Sequence, residues 1–179
     1  MSRHPPGLVV LHWLLALMII GMLLMGFAGF GTMPPTDPAV PTLLRWHVSI
    51  GLAILLLMAA RFAIRQRAAL RRSRVRGGAH GPGLSMLQGA FYLLVPTMAA
   101  TGLAALTAYG LLGRAFEGRA ALPAALITHP ASVAHALAAT LLANLILLHG
   151  LFALYRHFVR KERILDRMSL QIRRRPRSA

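Results

Sequence analysis

The sequence contains no cysteine and only four acidic residues among its 179 positions. The lack of cysteine excludes disulfide bonds, thiolate-held iron–sulfur clusters and haem attached covalently through a Cys-x-x-Cys-His motif. Charged residues make up 13% of the chain, about half of the roughly 25% that is usual for a soluble domain. Any metal or redox cofactor must therefore be held by histidine, methionine, tyrosine or one of the few carboxylates.

The chain is rich in long apolar runs, and 56% of its residues are hydrophobic. A helix needs about 20 apolar residues to cross a hydrocarbon core of roughly 30 Å. Four segments meet this length, and we predict spanning helices at residues 8–30, 46–64, 84–112 and 132–155. The connections are rich in proline, arginine or glycine, and the last of them has room for a short surface helix. The predicted fold class is all-α, a transmembrane four-helix bundle in one domain over residues 1–179.

The basic residues are distributed unevenly among the connections. Of the 20 Lys and Arg residues, 17 lie before the first span, in the second connection with its flank, or after the fourth span. Because basic loops stay in the cytoplasm, we expect both termini on the cytoplasmic side of a bacterial inner membrane. The net charge of +16 therefore indicates orientation in a lipid bilayer, and we expect no nucleic-acid partner.

Four histidines lie within or at the edge of the apolar spans, where an ionisable side chain is costly and so marks a candidate functional site. His12 and His149 lie near the cytoplasmic ends of the first and fourth spans. His47 and His135 open the second and fourth spans at the outer face. The fourth span thus carries one member of each pair, fourteen residues apart, which is roughly 21 Å along a helix and within about 40° of one helical face.

Two histidines at the same depth suit haem better than zinc. A tetrahedral zinc ion needs three or four clustered ligands, whereas a porphyrin supplies four nitrogens and leaves two axial positions for imidazoles. We therefore predict two non-covalent b-type haems, with His12, His149, His47 and His135 as the iron ligands. Two axial histidines leave no open position on the iron, which favours electron transfer over oxygen chemistry.

Arg61 lies fourteen residues after His47, towards the cytoplasmic end of the second span. Its guanidinium is suited to bidentate binding of a haem propionate, which makes Arg61 a candidate cofactor-binding residue. The alternative is an arginine that extends to the membrane surface and contributes only to orientation. The sequence leaves both interpretations open.

At these positions the chain resembles the bacterial cytochrome b561 family of four-helix membrane cytochromes with two b-type haems. The matching pieces are Leu11-His12-Trp13, His47-Val48-Ser49-x-Gly51 with Arg61 and Arg65, the fourteen-residue spacing of His135 and His149, Arg156-His157-Phe158 with Lys161, and Arg167-Met168. The chain departs from the family pattern at Gln88, where relatives carry histidine, and at Glu162, where they carry aspartate. Neither departure touches the four histidines.

The resemblance implies that His12 pairs with His149 and that His47 pairs with His135. It also implies electron exchange with the quinone pool, with ubiquinone as a substrate, and superoxide:quinone oxidoreductase as one activity. Two other classes of function stay open on the sequence alone. One is a histidine-lined transporter of metal ions or protons, and the other is a non-catalytic membrane scaffold.

Overall fold

A computed structural model describes residues 6–73, 82–117 and 122–162, and these ranges form helices and turns without a strand. The helices are α1 (Pro6–Leu24), continued by a π-helical segment (Met25–Phe30), α2 (Val40–Ser73), α3 (Pro82–Ala108), α4 (Leu111–Glu117), α5 (Ala125–Thr128) and α6 (Pro130–Leu154), continued by a π-helical turn (Tyr155–Val159). Four of them are long and apolar enough to cross a membrane. The all-α prediction with four spanning helices is therefore confirmed.

The second helix is longer than predicted at both ends. It begins at Val40 rather than Trp46 and runs to Ser73, past the predicted end at Ile64. Pro41 lies in its first turn, where proline needs no amide partner and is tolerated, so the proline-rich loop ends earlier than expected. As a consequence His47 lies about two turns inside the helix instead of opening it.

The third helix ends before the predicted boundary at Leu112. It stops at Ala108, and a turn follows in which Gly110 has a φ of +60°. Glycine adopts this left-handed conformation without the steric penalty of a Cβ atom. The chain can therefore change direction here and enter α4. With α5, this makes two short helices in the described part of a connection where one was predicted. Pro96 lies inside α3 without ending it.

The four long helices form a closed bundle. Each spanning helix packs against the next in the chain, α3 packs extensively against α6, and α6 also contacts α1. Large apolar side chains cover the outside, with Leu17, Leu56 and Leu93 each about 70% exposed. In a soluble protein such a surface would be an aggregation hazard, whereas in a bilayer it faces lipid. The chain is a multi-pass membrane protein.

The buried core lies in the middle of the bundle. Its fully buried members are Leu15, Ile19, Ile54, Met58, Val95 and Leu142. Leu142 is 2% exposed and lies seven residues from both His135 and His149. The core therefore separates the two ends of the bundle by a layer of aliphatic side chains.

The two ends of the bundle differ in what covers them. We call the end with Pro6 and Val159 the terminal end, and the end with Phe30 and Val40 the loop end. At the loop end, Leu44 of α2 and Ala115 of α4 are buried in a small cluster of their own. This packing explains why α2 is helical before Trp46, because Leu44 gains a buried partner that lies 71 residues away in the sequence.

Candidate functional site

At the terminal end, a histidine of α1 faces a histidine of α6. The ring centroids of His12 and His149 are 6.2 Å apart, and the ring planes are inclined at 71°. An aromatic ring contacts each histidine: Trp13 lies 5.6 Å from His12, and Phe91 of α3 lies 5.8 Å from His149. Three helices thus position the two imidazoles at one level.

At the loop end, a histidine of α2 faces the second histidine of α6. The ring centroids of His47 and His135 are 6.0 Å apart, with the planes at 62°. Phe30, the last residue of the π-helical segment, lies edge-on to His47 at 5.4 Å. The structure therefore brings the four sequence-predicted histidines together in two pairs, one at each end of the bundle.

The separation within each pair matches what an iron ion between two imidazoles requires. A bond from a metal to an imidazole nitrogen is about 2.0 Å, and a five-membered ring with bonds of about 1.33 Å has a radius of about 1.1 Å. Two ligands on opposite sides of one ion thus place their ring centroids about 6.3 Å apart. The observed 6.2 and 6.0 Å lie close to this value, so the residues present fit the group.

The donor set also favours a porphyrin over a bare ion. Among the described residues, no group of three or more His, Cys, Asp or Glu side chains is placed to hold a metal. The Nδ1 atoms of His47 and His149 are buried and have no hydrogen-bond partner. Each pair brings two imidazoles together, which is the number of protein ligands that an iron porphyrin needs.

Two glycines of the helices that carry or adjoin the histidines leave open space beside the backbone. A Cβ atom added to Gly26 or Gly150, both half-buried, would meet no neighbouring side chain within 4 Å. Gly51, by contrast, lies opposite Met22, whose methyl group would be 3.9 Å from such a Cβ atom. Gly26 and Gly150 thus leave room for a flat apolar group beside the helix backbone.

His135 differs from its partner His47 because its second nitrogen has a partner. The Nδ1 atom of His135 lies 2.8 Å from the carbonyl oxygen of Met98 on α3. A carbonyl oxygen only accepts, so Nδ1–H donates and Nε2 keeps the free lone pair that binds a metal. Sequence reasoning missed this contact, since its acceptor is a backbone atom that no side-chain pattern reveals.

Arg61 lies towards the terminal end of α2 and is half-buried. It lies at the same end of the bundle as His149 of α6. The structure thus brings Arg61 into the neighbourhood of the His12–His149 pair. Arg45, next to His47 in the sequence, is exposed at the loop end.

The end of α6 forms a small charged cluster. Arg156 pairs with Glu162, its Nε donating to Oε2 at 2.8 Å, and Arg160 lies 3.4 Å from the other oxygen of the same carboxylate. With Phe152 and Tyr155 these residues line a pocket of about 230 Å³. Arg167-Met168, the last matching piece of the resemblance, lies outside the described residues.

The comparisons with known proteins agree with this geometry. The sequence model described as "Prokaryotic cytochrome b561" matches residues 3–169. Neither the curated proteins nor the solved structures gave a significant match. The family match covers well over half of the chain and includes all four paired histidines. The chain therefore belongs to the prokaryotic cytochrome b561 family, whose membership implies electron transfer in a membrane through b-type haem.

Proposed function

We propose that the chain binds two b-type haems, one between His12 and His149 and the other between His47 and His135, and that it transfers single electrons across the membrane. The observation that carries this proposal is the placement of two imidazole pairs, at 6.2 and 6.0 Å, at opposite ends of one helix. Helix α6 contributes to both pairs, so it fixes the distance between the two sites.

The residues of the chain set the conditions for this transfer. Haem iron supplies one-electron chemistry by changing between its ferric and ferrous states. The paired imidazoles would hold the haem iron and would leave no position on it for oxygen. The aliphatic core around Leu142 excludes water between the two sites, which keeps the polarity low and prevents ions from following the electron.

We propose the quinone pool, with ubiquinone as the substrate, as one redox partner. Family membership supports this partner, and it makes superoxide:quinone oxidoreductase the specific activity to test. Superoxide is an anion, and the guanidinium of Arg45, exposed beside His47, favours its approach to the loop end. Positive potential raises the rate at which an anionic donor meets a protein surface.

Arg61 is proposed as a propionate-binding residue of the haem at the terminal end. Its half-buried position at the same end of the bundle as His149 supports this role, because guanidinium and carboxylate form strong bidentate pairs. The alternative role, an orientation signal at the membrane surface, predicts no effect on either haem.

The orientation proposed is that of a bacterial inner-membrane protein with both termini in the cytoplasm. In the sequence, 17 of the 20 Lys and Arg residues lie before the first span, in the second connection with its flank, or after the fourth span. The loop end, with the His47–His135 pair, then faces away from the cytoplasm.

A visible spectrum with haem quantification tests the function. The chain is expressed under haem-replete conditions, purified in detergent, and assayed as the pyridine haemochrome. We expect b-type bands, two haems per chain, and reduction of the haems by ubiquinol or by superoxide. A colourless preparation would refute the proposal that the chain is a cytochrome. Bound haem that neither ubiquinol nor superoxide reduces would refute the proposed redox partners.

The two other classes of function give different results in the same preparation. A scaffold is expected to bind no haem and to carry no flux. A histidine-lined transporter is expected to carry metal ions or protons into liposomes without haem. Flux of this kind by the haem-free chain would therefore favour transport over electron transfer.

A further inference from the structure

The ring of His135 rests against the backbone of α3 at two points one helical turn apart. Its Nδ1 atom lies 2.8 Å from the Met98 carbonyl oxygen. A Cβ atom added to Gly102 would lie 3.0 Å from Nδ1 and 3.1 Å from Cε1 of the same ring. Carbon atoms in favourable contact are about 3.5–4.0 Å apart, so a side chain larger than that of glycine would force the imidazole to shift.

The Met98 carbonyl oxygen is available to His135 although a second side chain lies near it. The hydroxyl of Thr101 is 3.1 Å from this oxygen but 2.8 Å from the carbonyl oxygen of Thr97. A hydroxyl has one proton to donate, and its shorter contact is to Thr97. The imidazole N–H is therefore the closer side-chain donor to Met98.

The other histidine of α6 has no such contact. The Nδ1 atom of His149 is buried without a hydrogen-bond partner, and so is the Nδ1 atom of His47. A hydrogen bond from the second nitrogen of a metal-bound histidine to a carbonyl fixes the ring and makes it a stronger donor. Stronger donation stabilises ferric iron and lowers its reduction potential.

We propose that Gly102 and the Met98 carbonyl are a positioning device for His135, and that through them α3 lowers the reduction potential of the haem at the loop end. Helix α3 carries none of the four proposed ligands, so this would be its contribution to the redox chemistry. The inference rests on the proposed ligation of haem by His135. It goes further because it assigns a structural cause for a difference in reduction potential between the two haems.

The first test compares two glycine-to-alanine variants of α3 in the haem-loaded protein. Gly102→Ala pushes the ring away from Met98 and lengthens the hydrogen bond, so we expect an upward shift of one reduction potential in a redox titration while the other stays unchanged. Gly89→Ala is the matched control, because a Cβ atom there meets nothing within 4 Å. Unchanged potentials in Gly102→Ala with both haems retained would overturn the proposal.

The second test reads the protonation of the His135 ring in the unaltered sequence and does not depend on bound haem. Nitrogen NMR of the haem-free chain, labelled at histidine and assigned with His135→Ala, reports which ring nitrogen carries the proton. We expect His135 to be protonated at Nδ1, as the contact with Met98 requires. Protonation at Nε2 would overturn the inference. A wild-type chain that binds no haem would instead refute the proposed function, while this measurement would still report on the contact.

Discussion

The proposed ligands are imidazoles that two kinds of neighbour hold in position. His47 and His149 are placed by aromatic edges, from Phe30 and Phe91 respectively, and their Nδ1 atoms have no partner. His135 is placed by a hydrogen bond to the backbone of α3. An unpartnered buried nitrogen costs free energy, which is typical of a group kept for its chemistry rather than for stability.

The two histidines of α6 give the first prediction, because each belongs to a different pair. Replacing His135 or His149 by alanine removes one ligand of one iron and leaves the other pair intact. We expect each variant to lose about one of the two haems, measured by the pyridine haemochrome. His129→Ala is the control, since His129 caps α6 through Ala131 and faces neither pair. Full haem content after either replacement would refute the pairing.

Arg61 gives a second prediction at this scale. A positive charge near an iron site favours its reduction, since the reduced state carries one negative charge more. Arg61→Gln is expected to lower the potential of one haem, and Arg61→Lys to lower it less. Arg67→Gln on the exposed part of the same helix should change neither. If Arg61→Gln and Arg67→Gln behave alike in a redox titration, Arg61 serves orientation only.

At the level of elements, the aliphatic core holds the helices at the spacing that both pairs need. Removing a buried leucine side chain typically costs about 2–5 kcal/mol of stability. Leu142→Ala is therefore expected to lower the unfolding free energy by that amount. Leu141→Ala is the matched control, because this neighbour is 59% exposed and faces lipid. Thermal or detergent unfolding measures both, and an equal effect of the two changes would contradict the placement of the core.

The elements also show which parts of the fold the sequence determines. Hydropathy predicts the four spanning helices, because the length of an apolar helix is set by the bilayer rather than by tertiary contacts. The start of α2 at Val40 was not predictable, since it depends on Leu44 packing against Ala115 of a distant short helix. The end of α3 depends on one glycine conformation at Gly110.

The candidate site, like the fold, has one part that can be predicted from the sequence and another that cannot. The four histidines stand out in the sequence because ionisable residues are rare in apolar spans, and their spacing gives their depth. The contact of His135 with Met98 and the close approach of Gly102 depend on how α6 is rotated against α3. No residue pattern within a single helix contains that information.

For the whole molecule, the orientation in the membrane decides which histidine pair faces the cytoplasm. The chain has no cysteine, so a single introduced cysteine is labelled without background. Thr36→Cys lies exposed in the loop between α1 and α2, and Gln66→Cys lies exposed near the terminal end. A membrane-impermeant maleimide is expected to label the first in intact spheroplasts and the second only after lysis. The reverse pattern would contradict cytoplasmic termini.

The central claim is that the chain holds two irons, each between two imidazoles. Low-temperature electron paramagnetic resonance of the oxidised, purified protein tests it most directly, because the signal reports the axial ligands of each ferric iron. The account predicts two low-spin signals of equal spin concentration and no high-spin signal. A high-spin signal equal to one haem per chain, or a single low-spin signal accounting for one haem per chain, would contradict it.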